Sequence, residues 1–510
     1  MSSGVDQGAR SVVPRWRPSN TFVGSPESGP LKVRSSNSPA ISWFDQAYKD
    51  WLEMQSAGAL ADAFSAALSE NKVDYIRALA KQIQRFGDRV PQVLQALAEK
   101  SLHPKEQRHD PHLQQRWKEV ELIGRAVAFL RKKVTDQPNN AFVWHDLSYH
   151  YLMLGENEKA DRAMSVALAV SRHHRLIVRS ASRFFLHIKQ VERALTAVSK
   201  GPGFAQDPWL LSAHIAIAQG SETSSKFLKQ ASLVLERRNG GIESSELGMA
   251  LATEALLNGN KRVAKRLARD AVIDPTENSL AQGVWLSRRL NVDSIVDDVE
   301  RAKEAYEAQA WDAYYRGDWD ASLGNALKWL NDQPFSSRPA ILASFIAATF
   351  LRDFQLCEEI AKFSLRTNPD DWLLTNNLVV ALAEQDKVVE AEREFSRLDI
   401  PDSKDDSYAT WLATSGLINF RSGDVESGRK LYSESVRLSR TKKDRTSELV
   451  GALYRSLEEA RIGETGLAAQ LLIEVRDGFD VKTQRSKHES HALDALNDQI
   501  RALEGARKGA

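Results

Sequence analysis

From Ile41 onward, apolar side chains recur at the spacing of an α-helix. Ile41, Phe44, Tyr48, Trp51 and Leu52 follow the i, i+3, i+4 pattern that places apolar groups on one helix face. Proline is common only before this point, with five in the first 40 residues and 11 in the remaining 470. Because an interior proline removes a helix hydrogen bond and clashes with the preceding turn, this scarcity permits helices along the rest of the chain. The pattern predicts an all-α fold.

Two regular spacings predict that these helices form repeats. Pro334 and Pro369 are 35 residues apart, and the small residues Cys357 and Ala391 are 34 apart. The chain has 510 residues, which exceeds the size at which a single core stops growing. A repeat array adds length without enlarging any one core. A period near 34 residues therefore predicts a solenoid of helix pairs.

The stretch Ala141–Ala169 shows the repeat unit most clearly. Its large, small and turn residues are Trp144, Leu147, Ser148, Tyr151, Gly155, Glu156, Ala160, Met164 and Ala167. Other copies repeat the turn of glycine and a polar residue at Gly259, Gly317, Gly423 and Gly463, where glycine accepts the left-handed backbone that ends a helix. The pattern resembles the tetratricopeptide repeat family. The resemblance implies an all-α, right-handed α-solenoid of antiparallel helix pairs, A and B, with small residues such as Cys357 where helix B packs.

Composition and period divide the chain into four predicted parts. Ser, Pro and Gly fill 18 of residues 1–40, which predicts a disordered tail. Residues 41–106 are expected to form an N-terminal helical cap. Residues 107–482 are expected to form about ten hairpins, irregular near 279–302. Residues 483–510 are expected to hold a capping helix and tail.

A search for chemistry gives no catalytic, metal or cofactor site. The sequence has no phosphate-binding glycine loop and no G-x-S-x-G nucleophile elbow. The histidines 103, 109 and 112, and the pair 488 and 491, lack the additional ligands that zinc requires. We therefore expect a protein that is not an enzyme and that needs no cofactor.

Charge and cysteine content narrow the partners. Lys and Arg number 69 and Asp and Glu 68, so the net charge is +1, which argues against bulk binding to nucleic acid or anionic membrane. A basic stretch, Arg437–Arg445, is expected to be a loop between hairpins. The single cysteine favours a reducing compartment. No apolar stretch approaches the roughly 20 residues that span a bilayer. These features predict a cytoplasmic protein.

The family resemblance also implies where a partner binds, because helix A faces line its concave groove. Carried onto this sequence, the groove positions are Phe142, His145, Tyr149, Leu152 and Met153 in one unit and Arg179, Arg183 and His187 in the next. Two arginines four residues apart share a helix face and suit a carboxylate. The interpretation is a site for an acidic or C-terminal protein segment; the alternative is a solvated basic face.

Two further segments are candidates for binding. Asn376 and Asn377 are expected either to hydrogen-bond a peptide backbone or to satisfy helix ends. The apolar and basic cluster at residues 12–16 is either a short docking motif or an unconstrained part of the tail.

The leading functional hypothesis is a non-catalytic scaffold or adaptor for protein–protein interaction, which holds a partner segment in its groove. One alternative is a regulatory sensor subunit whose solenoid changes shape when it binds a peptide or small ligand. Another is an accessory subunit of a multi-protein ATPase or protease complex.

Overall fold

A computed structural model describes most of the chain. The described residues are 13–18, 43–69, 72–90, 92–102, 111–201, 203–237, 241–290, 295–296, 298–302, 304–405 and 407–480. Their contacts divide the chain into a smaller unit, Pro14–Phe204, and a larger unit, Ala205–Ala510 with Met1–Val13. Apart from 13–18, the tail predicted over 1–40 lies outside the described residues, as does the capping helix predicted over 483–510.

The smaller unit contains nine α-helices within its described residues. They are α1 (Trp43–Met54), α2 (Ala57–Ser69), α3 (Val73–Phe86), α4 (Gln92–Leu102), α5 (Pro111–Asp136), α6 (Ala141–Met153), α7 (Asn157–Val170), α8 (Arg175–His187) and α9 (Val191–Ser199). Helices α6 and α7 form one hairpin, and α8 and α9 form the next. Helix α8 also packs on α6, so the A helices of successive hairpins are neighbours.

Helix α5 replaces a hairpin that the sequence led us to expect near residue 107. Ile123, Val127, Leu130 and Val134 are all buried, which makes one uninterrupted apolar stripe along the helix. Because this stripe continues at helical spacing past Gly124, no turn forms there, and α5 runs through 26 residues as a single helix.

The larger unit continues the array within its described residues. Its α-helices are α10 (Pro208–Gly220), α11 (Leu228–Glu236), α12 (Ile242–Leu257), α13 (Lys261–Ala271), α14 (Glu277–Leu290), α15 (Tyr306–Arg316), α16 (Trp319–Asp332), α17 (Ser337–Thr349), α18 (Phe354–Leu365), α19 (Trp372–Glu384), α20 (Val388–Phe395), α21 (Ser407–Arg421), α22 (Val425–Thr441), α23 (Arg445–Ile462) and α24 (Thr465–Asp480). Helix α14 lies in the stretch expected to depart from the period and has no helix B of its own among the described residues.

Glycine makes the turn between helices A and B in several hairpins. Gly155, Gly259, Gly317, Gly423 and Gly463 all have positive φ, between 76° and 105°. Side chains with a β carbon rarely adopt this backbone, whereas glycine adopts it without steric cost. The predicted role of these turn residues is confirmed, and the described regular structure is helical throughout.

Aspartates cap the first turn of several A and B helices. Asp318, Asp353, Asp371, Asp424 and Asp444 each accept a hydrogen bond from the backbone N–H three residues later, at 2.9–3.1 Å. The first N–H groups of a helix have no partner within it, so a side-chain oxygen there stabilises the start by about 1 kcal/mol.

Small residues let the two helices of a hairpin approach closely. The predicted small positions in helix B are buried without exposed surface: Ala160, Ala194, Ala264, Cys357 and Ala391. The hydroxyl of Ser148 on α6 donates to the carbonyl oxygen of Ala160 on α7 at 2.8 Å. Burial raises the pKa of the Cys357 thiol, so this residue fills space as a neutral side chain.

Polar bonds join the A helices of successive hairpins in the larger unit. Gln282 on α14 donates to Thr253 on α12 at 2.7 Å, about one repeat away. On α14, the side-chain amide of Asn278 donates to the carbonyl oxygen of Val13 at 3.0 Å. Buried donors of this kind need acceptors; the neighbouring repeat supplies one for Gln282, and the tail supplies one for Asn278.

A buried charge network crosses four successive hairpins. Glu384, which ends α19, accepts hydrogen bonds from Arg352 at 3.2 Å, Arg421 at 3.0 Å and Arg461 at 2.8 Å. Arg421 also donates to Glu458 at 2.7 Å. The Glu384 side chain has no exposed surface. Removing one partner from such a network leaves an uncompensated buried charge.

Gly428 on α22 gives a test of close helix packing. A β carbon built there would lie 2.5 Å from the Phe420 ring, whereas one built at Gly324 on α16 would meet nothing within 4 Å. We expect Gly428→Ala to destabilise the protein by about 1–3 kcal/mol through overpacking. Gly324→Ala should stabilise it by roughly 0.5–1 kcal/mol through reduced chain entropy. Denaturant unfolding measures the free energy of unfolding of both variants, which should change in opposite directions. Equal changes would contradict the close packing at Gly428.

Glu358 on α18 gives a pH-dependent test. Burial opposes its ionisation, but hydrogen bonds from Lys362, Lys387 and Gln385, at 2.6–2.8 Å, outweigh burial and lower the pKa to about 2. The unfolded state therefore binds more protons between pH 4.5 and 2, and this stabilisation is lost as pH falls through that window.

We expect Glu358→Gln to lose roughly 0.5–1 kcal/mol of stability at neutral pH, because partly exposed ion pairs are screened. The difference from the wild type should shrink towards pH 2 in unfolding titrations. Glu359→Gln, one residue along the same helix, controls for the loss of one negative charge. A difference that stays constant from pH 7 to pH 2 would contradict the assignment.

Candidate partner-binding groove

Part of the N-terminal tail is packed onto the smaller unit. Trp16 has no exposed surface, and Pro14 is also buried. Arg15 between them and Arg17 after them are half-buried. This alternation is typical of an extended segment with every second side chain against the protein. The expectation of disorder is therefore wrong for residues 13–18.

Three rings enclose Trp16, and we call them the socket: His145, Tyr149 and Phe184. Their centroids lie 6.0, 5.3 and 5.7 Å from the indole, with interplanar angles of 65°, 84° and 74°. All three contacts are edge-to-face, an arrangement that aromatic rings prefer. His145 and Tyr149 are four residues apart on α6 and so share a face, and Phe184 comes from the neighbouring α8.

A hydrogen-bond chain fixes the orientation of the indole. Trp16 Nε1 donates to His145 Nε2 at 3.0 Å, and His145 Nδ1 lies 2.9 Å from Asp146 Oδ1. Indole nitrogen is only a donor, so His145 Nε2 carries no proton and Nδ1–H donates to the carboxylate. His145 and Asp146 have no exposed surface. The imidazole is thus a neutral acceptor aimed at the indole.

A second histidine continues this polar group on α6. His150 Nδ1 lies 2.7 Å from the backbone carbonyl oxygen of Asp146. Burial lowers the pKa of His150, despite that hydrogen bond and the nearby carboxylate. The ring of His150 also packs against Tyr149, with centroids 5.6 Å apart. This contact supports one wall of the socket.

The other predicted groove residues have different surroundings. Phe142 packs edge-to-face against His174, with centroids 4.9 Å apart. Arg179, Arg183 and His187 are half-buried on α8, the helix that also carries Phe184. Leu152 is buried without exposed surface, and Met153 is half-buried.

Asn376 and Asn377 are placed far from any helix end. They lie in the middle of α19, whose start is capped by Asp371 instead. Asn376 Oδ1 accepts a hydrogen bond from Thr414 at 2.8 Å, and Asn377 donates to Ser344 at 2.9 Å. The interpretation that they satisfy helix ends is therefore wrong. Both join neighbouring A helices, and binding to a peptide backbone stays a prediction for them.

The basic stretch at 437–445 is mostly helical and not the expected loop. Arg437 and Arg440 lie on α22, which ends at Thr441. Arg437 pairs with Glu434 at 2.6 Å, and Arg440 pairs with Glu448 at 2.7 Å. Neighbouring carboxylates thus offset much of the positive charge that a phosphate backbone would require.

Neither metal ligation nor membrane spanning has support in the described part of the chain. No group of three or more His, Cys, Asp or Glu side chains converges there as metal ligands would. The side chains of the histidines at 103, 109, 112, 488 and 491 lie outside the described residues. None of the described helices combines the length and apolar character needed to cross a bilayer.

Two features of the socket were not predicted from the sequence. Phe184 directly follows the groove position Arg183 and is not itself one of the predicted positions. Because Phe185 stands beside it, the sequence does not indicate which of the two rings faces the tail. The tail cluster and the groove were separate candidates, and nothing local in the sequence connects residues 129 positions apart.

Comparisons with known proteins find similarity among solved structures. No known family profile matches the chain, and no curated protein matches it. Among solved structures, the chain is similar to the crystal structure of yeast Tom70, with 13% sequence identity and a TM-score of 0.28. The match covers 77% of this chain and 94% of that one. The assignment to a tetratricopeptide-like helical-repeat fold rests on the helix pairs described above.

The rate of trypsin cleavage tests whether the segment at residues 14–17 occupies the socket. The bond between Arg15 and Trp16 is a cleavage site that docking protects. We expect Tyr149→Ala to speed cleavage there by about 10- to 100-fold, because loss of an aromatic contact raises the open population. Phe129→Ala, which removes an exposed ring on α5, is the control and should leave the rate unchanged. Equal rates in wild type and Tyr149→Ala would contradict the packing.

Proposed function

We propose that the protein is a non-catalytic scaffold that holds an extended segment of a partner protein against the A helices of its smaller unit. One observation carries the proposal: an extended segment of protein, residues 14–17, already lies on this surface with its tryptophan buried. Surfaces of stacked helix hairpins suit extended ligands, since each hairpin adds further contact positions along the groove.

The chemistry of the surface also favours binding over catalysis. Its central groups are aromatic rings and a neutral imidazole whose acceptor nitrogen is engaged by an indole. Aromatic rings in a preformed pocket are the usual anchors of a protein interface. With its near-neutral charge and single buried cysteine, the protein is proposed to do this work in the cytoplasm.

Arg179 and Arg183 supply the second part of the proposal. They lie on α8 four residues apart; Arg183 directly precedes Phe184 of the socket, and Arg179 lies five residues before it. Guanidinium groups offer paired donors to carboxylates. The partner segment is therefore proposed to carry acidic residues, or its free C-terminus, beside the part that enters the socket.

A paired charge reversal tests this function. Tagged full-length protein is isolated from its native cell as wild type, as Arg179→Glu with Arg183→Glu, and as Arg262→Glu with Arg266→Glu. The last pair is exposed on α13, also four residues apart, and makes the same change of charge elsewhere. We expect the wild type and the control to retain a partner protein. The Arg179→Glu, Arg183→Glu protein should retain at least tenfold less of it, which corresponds to a loss of roughly 1.4 kcal/mol or more of binding free energy.

The retained protein is then purified and its direct affinity measured for all three baits. The same ranking supports the proposal. Binding that is equal for both charge-reversed proteins would contradict it, as would turnover of a substrate by the purified chain alone.

A further inference from the structure

We propose that the socket recognises a tryptophan-containing extended segment of the partner, and that residues 14–17 are a built-in competitor occupying the same place. This inference rests on the proposed function and specifies its ligand. The sequence Pro14-Arg15-Trp16 gives the chemistry: a proline and a tryptophan buried on one side of an extended segment, with a polar residue between them.

The socket selects tryptophan through its hydrogen bond as well as through its shape. His145 Nε2 is buried and can only accept, because its Nδ1 proton is directed to Asp146. An indole supplies the required N–H from the ring itself. Phenylalanine fits among the rings but leaves the buried nitrogen without a donor, which costs affinity. Tyrosine carries its donor at the tip of a longer ring axis, away from the position of indole Nε1.

Proline at position 14 adds to the recognition. It is buried two residues before Trp16, on the same side of the extended segment. Because its φ is fixed, a segment containing proline loses less conformational entropy when it is held extended. A partner segment of the form Pro-x-Trp would therefore reproduce both buried contacts.

The segment competes because it is covalently attached to the unit that it occupies. Attachment gives it an effective concentration on the order of millimolar. It contributes no helix to the fold: residues 13–18 have no regular secondary structure. The rings of the socket come from α6 and α8, two helices of packed hairpins. A free tryptophan segment must therefore displace Trp16 before it can bind.

Binding of a labelled peptide tests both parts. The probe is fluorescein-labelled Arg-Ser-Val-Val-Pro-Arg-Trp-Arg-Pro, residues 10–18, measured by fluorescence polarisation with full-length protein. Trp16→Ala empties the socket of the attached indole, so this variant should bind the peptide. The wild type should bind it roughly 10- to 100-fold more weakly, because the attached segment competes. Equal affinity for both proteins would overturn the competition.

Changes on the peptide test tryptophan selectivity without altering the protein. Benzothienylalanine in place of the tryptophan keeps two fused rings but has sulfur where indole has N–H. We expect about tenfold weaker binding to the Trp16→Ala protein, the cost of a buried unsatisfied acceptor. Alanine at that position should abolish measurable binding. If the sulfur analogue binds as well as tryptophan, recognition through His145 is wrong.

Two further variants place the peptide in the socket. Adding Phe184→Ala to Trp16→Ala should weaken peptide binding at least tenfold, whereas adding Phe129→Ala, which removes an exposed ring on α5, should not. Equal losses of peptide affinity in the two double variants would show that the peptide does not bind in the socket. If thermal unfolding shows that Trp16→Ala is not folded, Trp16→Phe serves instead, since it keeps a ring but lacks the donor, and the peptide should still bind it more tightly than the wild type.

The remaining outcomes separate this inference from the proposed function. Sedimentation that shows a concentration-dependent dimer of the wild type, lost in Trp16→Ala, would assign the indole to a second copy and overturn competition within one chain. Absence of peptide binding by Trp16→Ala, together with a partner whose retention depends on Arg179 and Arg183, would overturn only the tryptophan ligand. Loss of that retention would overturn the proposed function.

Discussion

Every part of this fold depends on one constraint: no helix hairpin can bury its apolar surface alone. Each A helix must pack against its own B helix and against the A helix of the next hairpin. The fully buried alanines of helix B and the left-handed turn glycines are the local means of meeting this constraint, because they allow close approach and a tight reversal. The same stacking places side chains from α6 and α8 side by side, which is how a socket of three rings arises from residues in different hairpins.

That origin explains which parts could be predicted from the sequence. Turn glycines such as Gly155 and small residues such as Ala160 act within one hairpin, so their spacing alone identifies them. His145 and Tyr149 are among the groove positions that the family resemblance implies. The packing of Trp16 against them does not follow from the sequence, because contacts between distant segments leave no local periodicity. Asn376 shows the same limit: its partner Thr414 lies one repeat away, whereas its own neighbourhood indicated only binding to a peptide backbone or a role at a helix end.

The socket and the segment that fills it are different kinds of structure: the socket is formed by packed helices, and the segment is extended. Rings held on packed helices are preorganised, so a ligand bears little cost for arranging them. The bound segment is extended and has no regular structure, so it can leave without unfolding a helix. The neutral tautomer of His145, fixed by Asp146, adds direction to this apolar surface. The three rings thus determine the shape of the socket, and His145 with Asp146 determines its polarity. The segment that occupies it has no helix that would have to unfold if it left.

The charge network around Glu384 has a consequence for how the larger unit opens. In a repeat array, ends usually fray one hairpin at a time, because each repeat contacts only its neighbours. Here one carboxylate receives hydrogen bonds from arginines of three other hairpins, and Arg461 lies 77 residues along the chain from it. Detaching any one of these hairpins would strand a charge in the interior. The four hairpins are therefore expected to exchange their amide hydrogens together, as a single cooperative block within an otherwise modular array.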